Sequence, residues 1–470
     1  VFVVFVASLF MSIMDGTIVN VALSTISRDF GVGIAATDVI VVAYLVSLAV
    51  TIPAAGWVGD RWGSKRVFLA ALGVFVVASA LCGLSTTLGQ LVGARILQGA
   101  ASGVLTPVGT AMLYRTFLAH ERVRVSRILI VPTVIAPATG PVLGGFLVDH
   151  LSWHWVFFVN LPIGIATLVF GLVYLHEHRE PYAGGFDLTG FVLASAGFSL
   201  VMYAVTQGSV YGWSSLRILA SLVIGVLALI AMVVVELRLA NPMIQPRLFG
   251  NHVFRTANLV SLFGMAGFIG LLFTVPQFLQ QGLGHSAFET GLSTFPEALG
   301  VLISSQIVGR LYARVGPRRL MGFGLLWVTA MIALFCTVGP STSLWIVRLL
   351  MFGTGAGIAY MFLPVGVAAF ATITSADTGR ASVLFNAQNQ LGGAAGVALV
   401  SGILATFGAS AAAGAGAAQP QLNGYYATFA AAAALALIGA FIAFTLRDKE
   451  AAASVPASAA SADAAPVSLH

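Results

Sequence analysis

The chain has 470 residues, 59% of them hydrophobic and only 8% charged. Soluble domains carry about 25% charged residues, so composition excludes a water-soluble enzyme. The net charge of +6 does not point to nucleic acid either, because the basic residues are scattered over many short polar segments. Cys82 and Cys336 both fall in apolar stretches and supply neither a disulfide framework nor a metal spacing. The first residue is Val1 rather than Met, from which a trimmed leader is expected.

Stretches of about 20 apolar residues are long enough to cross a bilayer. Hydropathy places such spans near 1–25, 36–58, 66–86, 89–114, 124–148, 155–175, 187–207, 216–237, 254–281, 287–309, 319–338, 342–370, 380–407 and 424–446. These are fourteen spans, and an even number puts both ends of the chain on one side. Nearly all Lys and Arg fall in one set of loops. The opposite set holds only Arg28 and Arg217, while Arg95 and Arg348 lie within spans. The positive-inside rule therefore predicts cytoplasmic termini. Residues 451–470 and the segment 409–423 are low in complexity and are expected to be disordered.

Polar residues inside the spans are the candidates for function, because each is costly at bilayer depth. The first is Asp15, in MDGTIVN. At 1.5 Å per residue it lies roughly 20 Å from each end of its span, and Ser8, Ser12 and Asp15 share one helix face. A carboxylate there is suited to taking and releasing protons, or else to a structural hydrogen bond with a neighbouring helix. After the second span comes GWVGDRWGSKR, with Gly56, Asp60, Arg61, Gly63, Lys65 and Arg66. In the fourth span Arg95 shares a stripe with Gln98, Gly99, Ser102 and Thr106. A buried guanidinium does not lose its proton, so Arg95 needs an acidic partner or an anionic ligand. Asp15 is one candidate partner.

The fifth span reads PTVIAPATGPVLGGFL. Ala136, Gly140 and Gly144 recur every four residues and make a small face for close helix contact. Pro137 and Pro141 are expected to bend the helix, and Gly145 extends the small patch. The thirteenth span carries a matching patch, Gly392, Gly393 and Gly396, so the two faces are expected to pack together. The ninth span offers Phe263, Met265, Phe268, Phe273, Gln277 and Gln281, a soft surface suited to varied apolar ligands. Glu297, in the tenth span, is a second deep acid, able to bind a cation or carry a proton. Asn386, Asn389 and Gln390 share a face of the thirteenth. His176 and His178, in HEH, lack the further ligands a metal site needs.

GWVGDRWGSKR at 56–66 has a counterpart, GRLYARVGPRR, at 309–319. Gly56 matches Gly309, Arg61 matches Arg314 and Gly63 matches Gly316, all displaced by 253 residues. The same displacement carries Arg95 onto Arg348. This is the signal of an internal duplication. A duplicated helical bundle with its ligand site between the halves is the design of secondary transporters. Six spans precede about residue 180 and six follow about 250; the two between look inserted.

These pieces together resemble the major facilitator superfamily, specifically its fourteen-helix drug:proton antiporter branch. The matching segments are MDGTIVNVAL at 14–23, GWVGDRWGSKR at 56–66, RILQG at 95–99, APATGPVLGG at 136–145 and WHWVFFVNLPIG at 153–164. The resemblance implies an all-α integral membrane fold: a six-helix bundle over 1–180, two inserted helices over 181–245, a second six-helix bundle over 246–446 and a tail over 447–470. It implies no enzymatic activity and no cofactor beyond a proton gradient. It implies a proton-coupled antiporter that exports lipophilic drugs, antibiotics or related metabolites across the cytoplasmic membrane of a bacterium, working as a monomer amid lipid and without nucleic acid. In that reading Asp15, Arg95 and Glu297 couple protons. Gln98, Phe268, Gln277, Glu297, Asn386, Asn389 and Gln390 line the substrate path. Gly56, Asp60, Arg61, Gly63, Lys65, Arg66, Gly140, Pro141, Gly144 and Gly145 serve the conformational change. The alternatives are a proton-coupled importer of a small anion, held by Arg95 and Arg348, and a non-transporting membrane sensor.

Overall fold

The computed structural model describes residues 1–32, 34–117, 119–179, 185–239, 242–413 and 422–447. Most of the low-complexity segment at 409–423 and nearly all of the tail from 447 lie outside the described residues. Among the described residues the regular structure is helical throughout. The helices are α1 (Phe2–Asp29), α2 (Ile34–Trp62), α3 (Ser64–Gly83), α4 (Leu88–Thr116), α5 (Ala119–His150), α6 (Trp155–Phe158), α7 (Asn160–Tyr174), α8 (Leu188–Tyr211), α9 (Leu216–Arg238), α10 (His252–Gln277), α11 (Ala287–Thr294), α12 (Pro296–Val315), α13 (Pro317–Leu334), α14 (Leu344–Ala369), α15 (Thr378–Ala413) and α16 (Leu422–Phe444).

Two predicted spans are each broken once. Val159 separates α6 from α7, and Phe295 separates α11 from α12. The second break falls where Pro296 opens the new helix, a position at which its missing N–H costs nothing. Counting each broken pair once gives fourteen helical segments at the fourteen predicted positions. Eleven of these are, among the described residues, long and apolar enough to cross a membrane.

Local sequence explains the helix starts. Asp187, Ser215, Asn251 and Ser343 each accept a backbone N–H in the first turn of the helix that follows. Ser286 and Glu289 form a reciprocal capping box at α11. The turns that join α2 to α3 and α12 to α13 use glycine for a backbone reason. Gly63 has φ of 100° and Gly316 has φ of 81°, a region other residues adopt only at a cost. The duplicated motif thus repeats a backbone conformation, not only a charge pattern.

The chain divides into two compact units. The first comprises Val1–Thr116, Val131–Arg247 and Ser375–Ala387; the second comprises Phe117–Ile130, Leu248–Thr374 and Gln388–His470. The pair α8 and α9, expected as an insertion apart from both halves, belongs to the first unit, where α8 lies along α2 and Ser195 Oγ donates to Val50 O at 2.8 Å. In the same unit α2 lies against α4, and α1 against α6 and α7. A core of Ile18, Val19, Ile26, Ile40, Leu91, Trp153 and Phe157 fills the space among α1, α2, α4 and α6.

The two small-residue faces are filled from within their own units. A Cβ at Gly140 would collide with Thr17, and one at Gly144 would stand 2.8 Å from Ile18 Cγ1, so α5 lies tight on α1. Gly392 and Gly396 leave the same room on α15 for the backbone of Leu262 and Ala266 in α10. Each small-residue face thus has a close partner helix within its own unit. Gly145 has nothing within 4 Å, and the side chain of Pro141 lies outside the described residues.

Substitution of these glycines should separate the two uses. Gly63→Ala should destabilise the protein by about 1–3 kcal/mol through backbone strain, lowering the midpoint of thermal unfolding in detergent. Gly145→Ala should leave that midpoint unchanged or raise it slightly, since helical Gly→Ala is favourable by roughly 0.5–1 kcal/mol where space exists. Equal effects at both positions would contradict the assignment.

Candidate functional site

Asp15 is wholly buried in the first unit, and so is every group that touches it. Arg95 Nη1 donates to Asp15 Oδ2 at 2.6 Å. Gln98 Nε2 donates to Asp15 Oδ1 at 2.8 Å, and Asn160 Nδ2 donates to the same oxygen at 2.8 Å. Arg95 Nη1 also reaches Gln98 Oε1 at 2.8 Å. Ser79 Oγ accepts from Gln98 Nε2 and Asn160 Nδ2, at 3.2 Å and 3.1 Å, and itself donates to Phe157 O at 2.9 Å. Three helices therefore meet on one carboxylate, α1, α4 and α7, and Ser79 joins α3 and α6 to the same network.

The arginine is held on its other faces as well. Its Cζ stands 4.2 Å from the centre of the Tyr44 ring and 5.9 Å from that of Phe157, and its Nε reaches Ile40 O at 3.5 Å. Tyr44 OH in turn donates to Ser102 Oγ at 2.9 Å, and Ser12 Oγ bonds Ser102 Oγ. Gly99 is required here because a Cβ would run into the backbone of Tyr44. The sequence stripe of Arg95, Gln98, Gly99 and Ser102 is thus one face of α4 turned toward α1 and α2.

The chemistry follows from the donor count. Asp15 is surrounded by donors and finds no acceptor. Arg95 has no lone pair to offer, so a proton placed on Oδ2 would collide with the Arg95 N–H. A proton on Oδ1 would require one of the amides to turn over and present its oxygen. The two side-chain amides can turn over; the guanidinium cannot. The cluster stands as a buried ion pair closed by two side-chain amides. A buried pair of this kind is worth little against a hydrophobic replacement, yet breaking it by removing one partner costs several kcal/mol.

The basic turn forms a second cluster in the same unit. Asp60 accepts from Arg115 Nη2 at 2.8 Å, with both side chains buried. Arg115 Nε also donates to Ser375 O at 3.1 Å. Gly379, in the first turn of α15, lies against the Asp60 carboxylate, and Gly56 stands so close that a Cβ would be 2.9 Å from Gly379 O. Ser382 Oγ donates to Pro107 O at 2.8 Å. Lys65 Nζ caps Leu172 O at 2.9 Å, and Glu177 accepts from Lys65 N at 3.0 Å and pairs with Arg66 at 3.5 Å. Arg61 is exposed. Glu177, the acid between the two discarded histidines, is what the turn closes on.

The residues expected to line a substrate path are placed less uniformly. Gln98 belongs to the Asp15 cluster. In the second unit Phe268 is buried edge-to-face on Phe362, with ring centres 6.0 Å apart. Gln277 Nε2 donates to Phe273 O at 3.2 Å, Asn389 accepts from Ser261 Oγ, and Gln390 is exposed. Asn386 Nδ2 donates to Ser382 O at 2.8 Å, in the first unit. Glu297 is half-buried at the start of α12, where Gly355 makes room for its backbone. Its carboxylate has no hydrogen bond or ion pair among the described residues. Arg348, the duplicate of Arg95, stacks 4.6 Å from the Trp345 ring and leaves Nε unpaired.

The sequence, which among the described residues folds into fourteen helical segments with a buried acid–arginine pair and a repeated glycine turn, is matched by the profile of the Major Facilitator Superfamily over residues 5–273 and again over 257–469. The chain belongs to the major facilitator superfamily. It is a multi-pass membrane protein of a transporter family. Among curated relatives it is 32% identical over 399 residues to a multidrug resistance protein B homolog of Mycobacterium tuberculosis, covering 84% of this chain and 74% of that protein. It is 30% identical over 398 residues to the putative multidrug resistance protein MdtD of Pectobacterium carotovorum, covering 85% of each. The superfamily fold is shared with the human organic anion transporter MFSD10, at a TM-score of 0.66 and 16% identity over 94% of this chain and 98% of that one. The proton:xylose symporter XylE matches at 0.65 and 13% over 95% and 94%.

Sequence reasoning found Asp15, Arg95 and Gln98 by their helix faces. It missed Asn160, Ser79 and Tyr44. Asn160 was visible as an amide inside WHWVFFVNLPIG, but nothing in its local spacing pointed at Asp15.

Neutralising one member of the pair should expose the cost of the other. Asp15→Asn or Arg95→Met alone should each destabilise the protein by about 3–5 kcal/mol, while Asp15→Asn combined with Arg95→Met should recover a large part of that loss. A double-mutant cycle of thermal unfolding in detergent reads the coupling directly. Additive effects would show that the two side chains are not coupled.

Proposed function

We propose that the protein is a proton-coupled antiporter that exports small lipophilic compounds by alternating access. The observation that carries this reading is the wholly buried contact of Asp15 with Arg95, Gln98 and Asn160. A proton arriving at Asp15 removes its charge and weakens its hold on Arg95, which loosens the tie among α1, α4 and α7. Loss of the proton restores it. Substrate enters in the state from which the proton has left. The names of the multidrug resistance relatives support the class of substrate. The soft surface around Phe268 and the amides of α10 and α15 suits varied apolar compounds, with Glu297 as the acid available to a cationic one.

Gating belongs to the second cluster. The contact of Gly56 and Asp60 with Gly379, locked by Arg115 and Ser375, is the contact that parts and reforms in each cycle. The basic residues of the loops orient the chain with both termini in the cytoplasm, and a bacterial cytoplasmic membrane is the setting the relatives favour. Uptake of an anion on Arg95 is less well supported, because Arg95 is already spent on Asp15.

Purified protein in liposomes with an imposed proton gradient, acidic outside, tests the reading. A panel of lipophilic cations and neutral antibiotics should dissipate the gradient with wild type. Asp15→Glu should retain the exchange more slowly, and Asp15→Asn should abolish it while still binding substrate. Exchange by Asp15→Asn at the wild-type rate would remove Asp15 from coupling.

A further inference from the structure

The helix pair α8–α9 carries an acidic contact that the transport reading does not use. Asp187 caps the start of α8, its Oδ1 accepting from Gly190 N at 2.9 Å. Glu236, near the end of α9, is wholly buried, and its Oε1 accepts from Ile244 N at 3.2 Å. The two carboxyl groups meet across Gly190: a Cβ there would collide with both Asp187 Oδ2 and Glu236 Oε1. Two further features make this more than a pair of caps. Asp187 Oδ2 and Glu236 Oε2 are buried oxygens without a hydrogen bond. Neither carboxyl has a cationic partner among the described residues.

Among the described residues, nearby charged groups are bonded elsewhere or exposed. Arg247 donates to Leu237 O at 2.8 Å and Leu239 O at 3.4 Å. Arg380 reaches Gln245 Oε1 at 3.4 Å and pairs with Asp377 at 3.7 Å. Arg238 and, on the neighbouring α2, Arg61 are exposed, while Asp60 is held by Arg115. Two ionised carboxylates in contact, buried and without a cation, repel; one proton between them turns the repulsion into a hydrogen bond.

We propose that Asp187 and Glu236 form a proton-binding site in the α8–α9 pair, separate from Asp15, in which one shared proton ties the start of α8 to the end of α9. The proton lies on one carboxyl and is donated to the other. Because Glu236 also holds Ile244 N, the same proton secures the connection that leads from α9 toward α10. Asp15 lies in a different cluster with its own donors, so the proposal stands whether or not Asp15 couples transport.

The sign of the pH effect is fixed. Near neutral pH the unfolded chain ionises both carboxyls, while the folded pair keeps one proton. The folded state then binds more protons, and stability falls as pH rises until the pair ionises. One extra proton makes the unfolding constant rise about tenfold per pH unit over that window. Asp187→Asn and Glu236→Gln keep the shape, and asparagine caps a helix as well as aspartate. Each supplies an N–H that replaces the shared proton.

The experiment is thermal unfolding of wild type, Asp187→Asn and Glu236→Gln in detergent across neutral pH, with infrared spectra of the same samples. Relative to either variant, wild type should lose stability with rising pH by the one-proton slope. It should also show a deuterium-sensitive carboxylic-acid carbonyl band that both variants lack. Parallel pH profiles and no such band would overturn the proposal. So would a wild-type stability that tracks added sodium or calcium instead of pH, since a metal cation would then occupy the gap. If one variant does not fold, the other still decides the question.

Discussion

The first unit is organised around a single carboxylate that has three donors and no acceptor. Asp15 draws Arg95, Gln98 and Asn160 onto itself in a region closed to water. The pair contributes little stability for its own sake, since desolvation offsets most of the attraction. What it provides is specificity of arrangement. The helices of this network satisfy their buried polar groups only in the register that brings these side chains together. A membrane transporter needs such an element, because alternating access demands two packings that differ by only a few kcal/mol.

Close approach between helices is secured by absent side chains. Lipid offers apolar side chains no less favourable contacts than protein does, so association rests on packing and hydrogen bonds. Gly99 lets α4 reach the backbone of Tyr44, which sets Arg95 beside the Tyr44 ring. Gly140 and Gly144 let α5 settle on the α1 segment immediately after Asp15. A shift of α5 along α1 is therefore felt within one turn of the carboxylate. Gly56 and Gly379 make the corresponding contact beside Asp60. In each place a polar cluster sits next to a glycine contact, so that small movements of backbone change the hydrogen bonding.

Much of this was legible in the sequence, and what was not has a physical cause. Span positions follow from hydropathy because the bilayer imposes a minimum length on every helix. The repeat of Gly63 and Gly316 was legible because a left-handed turn residue is chemically restricted. Asp15 and Arg95 stood out because ionised groups are rare in apolar runs. Asn160 and Ser79 did not, because an amide or hydroxyl in a helix is common and its partner lies on another helix. The glycine faces were legible as sites of close packing, but a face shows that a helix packs closely, not which helix it meets. Nothing in the sequence singled out Glu177 or Glu236, although one closes the basic turn and the other is fully buried.

The central claim is that Asp15 exchanges a proton when substrate binds. Its most direct test is the pH change on adding substrate to purified protein in weakly buffered detergent solution, at pH values spanning the neutral range. The account predicts proton release by wild type with a dependence on pH, and none by Asp15→Asn at any pH where that variant binds the same substrate. Equal release by both proteins would show that the buried carboxylate is structural and that the coupling proton is carried elsewhere.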